Sequence, residues 1–222
     1  IAKTNHTLFV SIEMTAKQIA SKIIGNVSSI HLEKLKKNSV TESELNTIVK
    51  DQSITNNLKF NISYPKKGIT IASLKAEIRR TIQKYNTRVV IIDYLGKISL
   101  GTKSWSKNDE VTQVSAALKA MATEFGIVII ALSQLSRAVE LRQDKRPMLS
   151  DLRDSGSIEQ DADLVMFCYR AEYYLKQAQP NKYAEPVQHR EWEDKMNQVK
   201  GVSEIIVAKA READPQTAKF HF

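Results

Sequence analysis

Glycine is scarce in this sequence. There are seven glycines in 222 residues, less than half the ~7% usual for soluble domains. No two of them complete a GxxxxGK[ST] or GxGxxG motif, since the pair five apart, Gly96 and Gly101, is followed by Thr102 where the first motif needs Lys, so a glycine-built phosphate cradle is not encoded between Ile1 and Phe222. Five prolines and no low-complexity tract exclude collagen-like and disordered classes. A single cysteine, Cys168, excludes an internal disulfide. Lying within the apolar run LVMFCY, it is expected to be a buried, reduced thiol of a cytosolic protein. Long hydrophobic runs are also missing, since IVIIAL and LVMFCY fall far short of the roughly 18 residues a membrane helix needs. The N-terminal IAKTNHTLFV lacks the basic, apolar, small-residue order of a secretory signal. With 42% hydrophobic and 26% charged side chains, the chain fits one larger globular domain.

The net charge of +8 points to acidic partners such as nucleic acid, but it is unevenly placed. Residues 1–100 carry 16 basic and 7 acidic side chains, whereas residues 101–222 carry 17 and 18. Nucleic acid bound by the second half would have to be gripped by a few placed residues.

Short apolar runs alternate with amphipathic stretches. LFVSIE (8–13) reads as a strand, and Thr15 with Gln18 opens a helix with Ile19, Ile23, Ile24 and Val27 on its apolar face. Thr41 with Glu44 opens a second, leading into Leu45, Ile48 and Val49, and FNISYP alternates like a strand. Ile71, Leu74, Ile78, Ile82 and Tyr85 form one helical stripe, leaving Arg79 and Arg80 outward. RVVIIDYL reads as a strand covered on both faces. Val111, Val114, Leu118, Met121 and Phe125 make another stripe before the buried strand IVIIALSQ. LVMFCYR and EIIVAKAR add two strands, and residues 171–200 read as an inserted helix or surface excursion. This alternation predicts an α/β fold with a mainly parallel sheet flanked by helices.

In such sheets ligands sit beyond the carboxyl ends of the strands. Three apolar runs end there in polar residues: Glu13, Asp93 and Gln134. Asp93 reads equally as a Mg²⁺-water ligand or as a loop cap; Glu13 alone reads as a surface acid, and Gln134 alone as an amide serving loop backbone. Lys209 and Arg211, two apart in IIVAKAR, would share one strand face, and by themselves they read as solvent-facing charges. His6, His31, His189 and His221 have no partners at metal-ligand spacing, and Ser133, Ser136 and Ser150 have no accompanying histidine.

IEM after the first strand, IIDYL, and above all SQLSRAVELRQDKRPMLSDLRDSGSIEQDADLVMF (133–167) resemble the DnaB-type bacterial replicative helicase over about residues 8–222. The resemblance implies a RecA-like domain with a C-terminal hairpin, ATP and Mg²⁺ as ligands, and an ATP-driven, hexameric, DNA-unwinding motor of the bacterial cytoplasm, associated with the nucleoid. Glu13 would be the base orienting the attacking water, Asp93 would hold the Mg²⁺ hydration shell, and Gln134 would sense the γ-phosphate. Lys209 and Arg211 would reach the neighbouring subunit's nucleotide. Arg153, with Asp154 and Gly156, would grip single-stranded DNA, and Lys145 and Arg146 could add to the same pore or sit in a solvated loop. Primase and a helicase loader are the further partners implied. The family's GxxxxGK[ST] loop should precede LFVSIEM, so 1–222 is expected to be one RecA-like domain truncated at its N-terminus. Where the family has a Gly-Pro-x-Gly turn after Arg211, this chain has EADPQT (212–217). The alternative is a non-catalytic DNA-binding or ring-assembly relative.

Overall fold

Buried β-branched runs set the centre of the first unit. The computed structural model describes residues 1–66, 68–101, 106–152, 156–181, 183 and 185–221, and the chain divides into two compact units, Ile1–Gln134 and Leu135–Phe222. In the first, β1 (Thr7–Ser11) leads through α1 (Ala16–Val27), α2 (Leu32–Lys37) and α3 (Glu42–Asn56) to β2 (Phe60–Ser63). The short β3 (Ile69–Thr70), α4 (Ile71–Tyr85), β4 (Val89–Asp93), the short β5 (Ile98–Ser99), α5 (Lys107–Phe125) and β6 (Val128–Ala131) follow. The main sheet is parallel throughout, in the order β2-β1-β4-β6. Its two inner strands are the most buried, with Val10, Val90 and Ile92 fully so.

Local chemistry starts the helices. Thr15 with Gln18, and Thr41 with Glu44, form reciprocal capping boxes, and Thr70 with Ser73 forms a third. Leu74 and Ile78 of α4 are fully buried, each worth roughly 1.5–3 kcal/mol in removal from water. On the outside Glu124 of α5 bridges to Lys75 at 2.6 Å and to Arg79 at 3.5 Å. Helix α1 turns back onto α2 where Gly25 lets them meet: a Cβ there would stand 2.9 Å from the Ile30 carbonyl oxygen and 3.3 Å from Leu35 Cδ1. Gly25→Ala should therefore lower the unfolding free energy by about 1–3 kcal/mol, despite alanine's better helix propensity. Urea denaturation would register it as a lower midpoint at constant m-value.

The second unit holds α6 (Gly156–Asp161), β7 (Leu164–Tyr169), α7 (Ala171–Gln177), α8 (Pro186–Val199), β8 (Val202–Ala210) and β9 (Gln216–His221). The strands pair antiparallel in the order β7-β8-β9, so the C-terminal runs depart from the parallel pairing that their alternation suggested. The connection explains it. Residues 171–200 form two helices rather than one, pinned together where Trp192 Nε1 donates to the Leu175 carbonyl at 2.7 Å. They return the chain to the end of β7 that it left, where Glu172 accepts the Gly201 N–H. Two apolar runs are also less buried than expected. Strand β6 is an outer strand of its sheet with Val128 57% exposed, and β7 buries Val165 and Phe167 but exposes Leu164, Met166 and Cys168. The expectation of a buried Cys168 is thus corrected: a run without polar residues marks a strand but not which of its faces are covered.

Glu172 is buried against Lys176 at 2.6 Å and Arg170 at 2.7 Å. These partners and the Gly201 amide hold its carboxyl down at about 2, from an ordinary value of 4.5. A depressed carboxyl stabilises the fold fully above its unfolded-state pKa and loses that contribution as pH falls through the folded one. The unfolding midpoint should therefore decline from about pH 4.5 toward pH 2, and Glu172→Gln should flatten that slope while lowering stability at pH 7.

Candidate functional site

Parallel register brings three of the sequence-predicted residues to one end of the sheet. Ser11 of β1 lies opposite Asp93 of β4, and the Ile12 N–H bonds the Asp93 carbonyl at 2.9 Å. On the other side Ile92 pairs with Ala131, and the Leu132 N–H extends the ladder to the Ile92 carbonyl at 3.0 Å. Asp93 is therefore on the middle strand of three, while Glu13 and Gln134 each lie two residues beyond its level on the flanking strands. Neighbouring strands run about 4.8 Å apart, which makes the three a single cluster at the carboxyl ends, where parallel sheets bind ligands.

Each member is held by its own local device. The hydroxyl of fully buried Ser11 accepts the Met14 N–H at 3.0 Å, closing the turn that carries Glu13 just ahead of the Thr15 cap. Glu13 is exposed and Asp93 half-buried. Among the described residues neither carboxylate is engaged in a side-chain hydrogen bond, so both remain acceptors for water. The Asp93–Tyr94 peptide is cis, and the Leu95 N–H returns to the Leu132 carbonyl, tying the loops after β4 and β6 together. Gln134, exposed, lies two residues beyond Leu132. Among the described residues no group of three or more His, Cys, Asp or Glu side chains could hold a metal directly. A lone half-buried carboxylate fits a divalent ion bound through its water shell, as Mg²⁺ commonly is.

The second unit carries the basic pair. A bulge opposite Val165 and Met166 shifts the β7–β8 register beside Lys209, re-aiming the strand end. Both cations meet α6. Lys209 Nζ donates to the carbonyls of Glu159 and Gln160, and Arg211 Nη2 donates to Gln160 at 3.0 Å. Arg211 also pairs with Asp163 at 3.4 Å. The glycine-free segment after Arg211 takes a longer route than a tight turn. Strand β9 joins β8 only from Val207–Gln216 onward, and none of residues 212–216 has positive φ.

Arg153 and Asp154 lie outside the described residues. Gly156 begins α6, is exposed, and a Cβ there would meet nothing among the described residues. Arg146 proves to be a fastener: it forks onto buried Glu204 at 2.6 and 2.9 Å and lies over the Tyr169 ring at 4.8 Å. Lys145 is likewise committed, to the carbonyls of Glu140 and Arg142.

Sequence reasoning missed a second fork. Arg142 grips buried Asp151 at 2.7 and 2.9 Å, and Asp151 also accepts the Met148 N–H. Together the two forks anchor the segment before residue 153, each holding a buried carboxylate against a bidentate guanidinium. Spacing carries no signal for the Arg146 fork, because Arg146 and Glu204 are 58 residues apart.

Comparison with known proteins finds relatives over most of this chain. The model of the DnaB-like helicase C-terminal domain family matches residues 1–222. The chain is 42% identical over 203 residues to the replicative DNA helicase DnaB of Rickettsia prowazekii, covering 91% of this chain and 41% of that protein. It is 35% identical over 222 residues to the replicative DNA helicase DnaB of Geobacillus stearothermophilus, covering 99% of this chain and 44% of that protein. Among solved structures it is similar to a DnaB-like replicative helicase studied with its primase interactions: TM-score 0.84, 34% identity, 99% of this chain and 48% of that one. A second solved structure, of an ATPase domain, is similar with TM-score 0.85, 34% identity, and 100% and 74% coverage. The chain thus spans about two fifths of the length of the curated relatives it matches.

Proposed function

We propose, from the premise that this chain belongs to the DnaB-like helicase C-terminal domain family, that it is the motor domain of a replicative DNA helicase. It would couple ATP hydrolysis between subunits of a hexameric ring to movement along single-stranded DNA in the bacterial cytoplasm, at the nucleoid. The observation that carries this reading is the register setting Asp93 between Glu13 and Gln134 at the carboxyl ends of parallel strands.

Glu13, a free acceptor on a short braced turn, orients the water that attacks the γ-phosphate. Asp93 holds the hydration shell of Mg²⁺, which when bound neutralises charge on the phosphate oxygens. Gln134 donates its amide to the γ-phosphate and, through the Leu95–Leu132 tie, relays its loss to the loop after β4. Lys209 and Arg211 meet the nucleotide of the adjacent subunit. The segment around Arg153, Asp154 and Gly156 grips phosphates of single-stranded DNA without reading bases, which suits a motor that must cross any sequence. Primase and a loader are the proposed protein partners.

An ATPase assay on the intact gene product with and without oligo(dT) tests the reading. Hydrolysis stimulated by the oligonucleotide is expected, and none under either condition would refute a motor. Arg153→Ala should weaken single-strand binding similarly for dT, dA and mixed-sequence oligonucleotides and reduce the salt slope by about one. A loss confined to one base composition, measured by anisotropy, would contradict backbone gripping.

A further inference from the structure

The base assigned to the attacking water has no side-chain partner of its own. A catalytic base is ordinarily oriented by a third group that binds it, yet the Glu13 carboxylate is exposed and engaged by no hydrogen bond among the described residues. Its aim is therefore set by the backbone that carries it. Three amides hold that backbone. The Ile12 N–H donates to the Asp93 carbonyl at 2.9 Å, the Met14 N–H to Ser11 Oγ at 3.0 Å, and the Thr15 N–H to Gln18 Oε1 at 2.9 Å.

The three are not equivalent. The first continues the β1–β4 ladder and needs no particular side chain. The third closes the α1 capping box at the surface, where water can serve the same amide. The second crosses the corner between sheet and helix, with Glu13 inside the span, and its acceptor is at 0% exposure, out of reach of solvent. Ser11 ends β1 directly opposite Asp93. One hydroxyl, rooted in the sheet at the level of the proposed Mg²⁺ residue, thus fixes the residue that follows the base. Short hydroxyl side chains bond nearby backbone in this way where a regular element stops.

We propose that Ser11 is a positioning residue for hydrolysis: through the Met14 amide, its hydroxyl sets the direction in which Glu13 presents its carboxylate to the attacking water. The inference rests on the reading of Glu13 as the base. Its size follows from tolerance, since a misplacement of about 1 Å at a reacting centre can cost about 10²-fold in rate. Nucleotide affinity should be spared, because the turn serves the water and not the phosphates.

Steady-state ATP hydrolysis by the intact, assembled protein with saturating oligo(dT) tests it. Ser11→Ala removes one oxygen and adds no volume. Its kcat should fall about 10–10²-fold, while the KM for ATP, the Mg²⁺ concentration giving half-maximal rate and the binding of a fluorescent ATP analogue stay within about twofold of wild type. Ser11→Cys, close in size but only a weak acceptor, should lose several-fold in kcat and decides the matter if the alanine variant does not fold. In a Glu13→Gln background Ser11→Ala should cost nothing further, because a residue that acts through the base then has nothing left to position. A structural role alone predicts failure of both serine variants to fold, a raised KM, a raised Mg²⁺ requirement through Asp93, or losses that add to those of Glu13→Gln. Any of these, or wild-type kcat in the serine variants, overturns the inference while leaving the base reading intact. Wild-type turnover in Glu13→Gln is a separate failure: it removes the base, and this inference with it.

Discussion

Glu13→Gln in the intact protein is expected to leave ATP-analogue binding within about twofold of wild type while lowering DNA-stimulated hydrolysis by about 10²–10⁴, the range for a positioned general base. The structure separates the two effects. Glu13 is exposed on a turn whose backbone is fixed by Ser11 Oγ and by the Thr15–Gln18 capping box, so the amide should sit where the carboxylate sat without disturbing β1 or α1. Glutamine keeps an oxygen acceptor but cannot take a proton. The replaced side chain makes no hydrogen bond among the described residues, so thermal stability should stay within about 0.5 kcal/mol, as for surface changes remote from special features. Equilibrium binding of a fluorescent analogue beside steady-state hydrolysis checks both halves. Turnover at the wild-type rate would sink the assignment of Glu13 as the base.

Much of the first unit was legible because its signals are local. A Thr-x-x-Gln or Thr-x-x-Glu box announces itself within four residues, and the Leu74–Ile78 stripe needs only the helical period to be read. The carboxyl-end cluster was legible for a similar reason: once three apolar runs pair in parallel, the residue that ends each is delivered to the same edge. What stayed hidden depends on pairings distant in sequence. Nothing in LVMFCY says that Val165 and Phe167 are covered while Met166 and Cys168 are not, because the difference lies in what packs on each face. Arg146 read equally as a pore cation or a solvated-loop charge, and it is neither once Glu204 of β8 and Tyr169 of β7 claim it. The spacing of Lys209 and Arg211 gave them one strand face but otherwise read as solvent-facing charge, and their carbonyl partners on α6 lie about fifty residues away and are backbone atoms that no residue type marks.

Arg211→Ala should cost about 10³–10⁵ in DNA-stimulated hydrolysis, the range for a cation supplied in trans to a transferring phosphoryl group. Lys209→Ala should cost less, since a point charge lacks the guanidinium's planar fork. Neither loss alone distinguishes action on a neighbour from action within the subunit, but mixing does. In the proposed ring, closed by head-to-tail interfaces, Glu13 would come from one subunit and Arg211 from the next. In a one-to-one random mixture of Glu13→Gln and Arg211→Ala subunits, about a quarter of the interfaces then combine an intact Glu13 with an intact Arg211. Hydrolysis should rise above that of either parent, toward about a quarter of the wild-type rate if interfaces fire independently and less if they fire in concert. Assignment to one subunit predicts otherwise, because every subunit in the mixture is then missing one of its two groups. Absence of any gain across all mixing ratios, with subunit exchange verified by energy transfer between labelled chains, would place Arg211 in its own subunit's site.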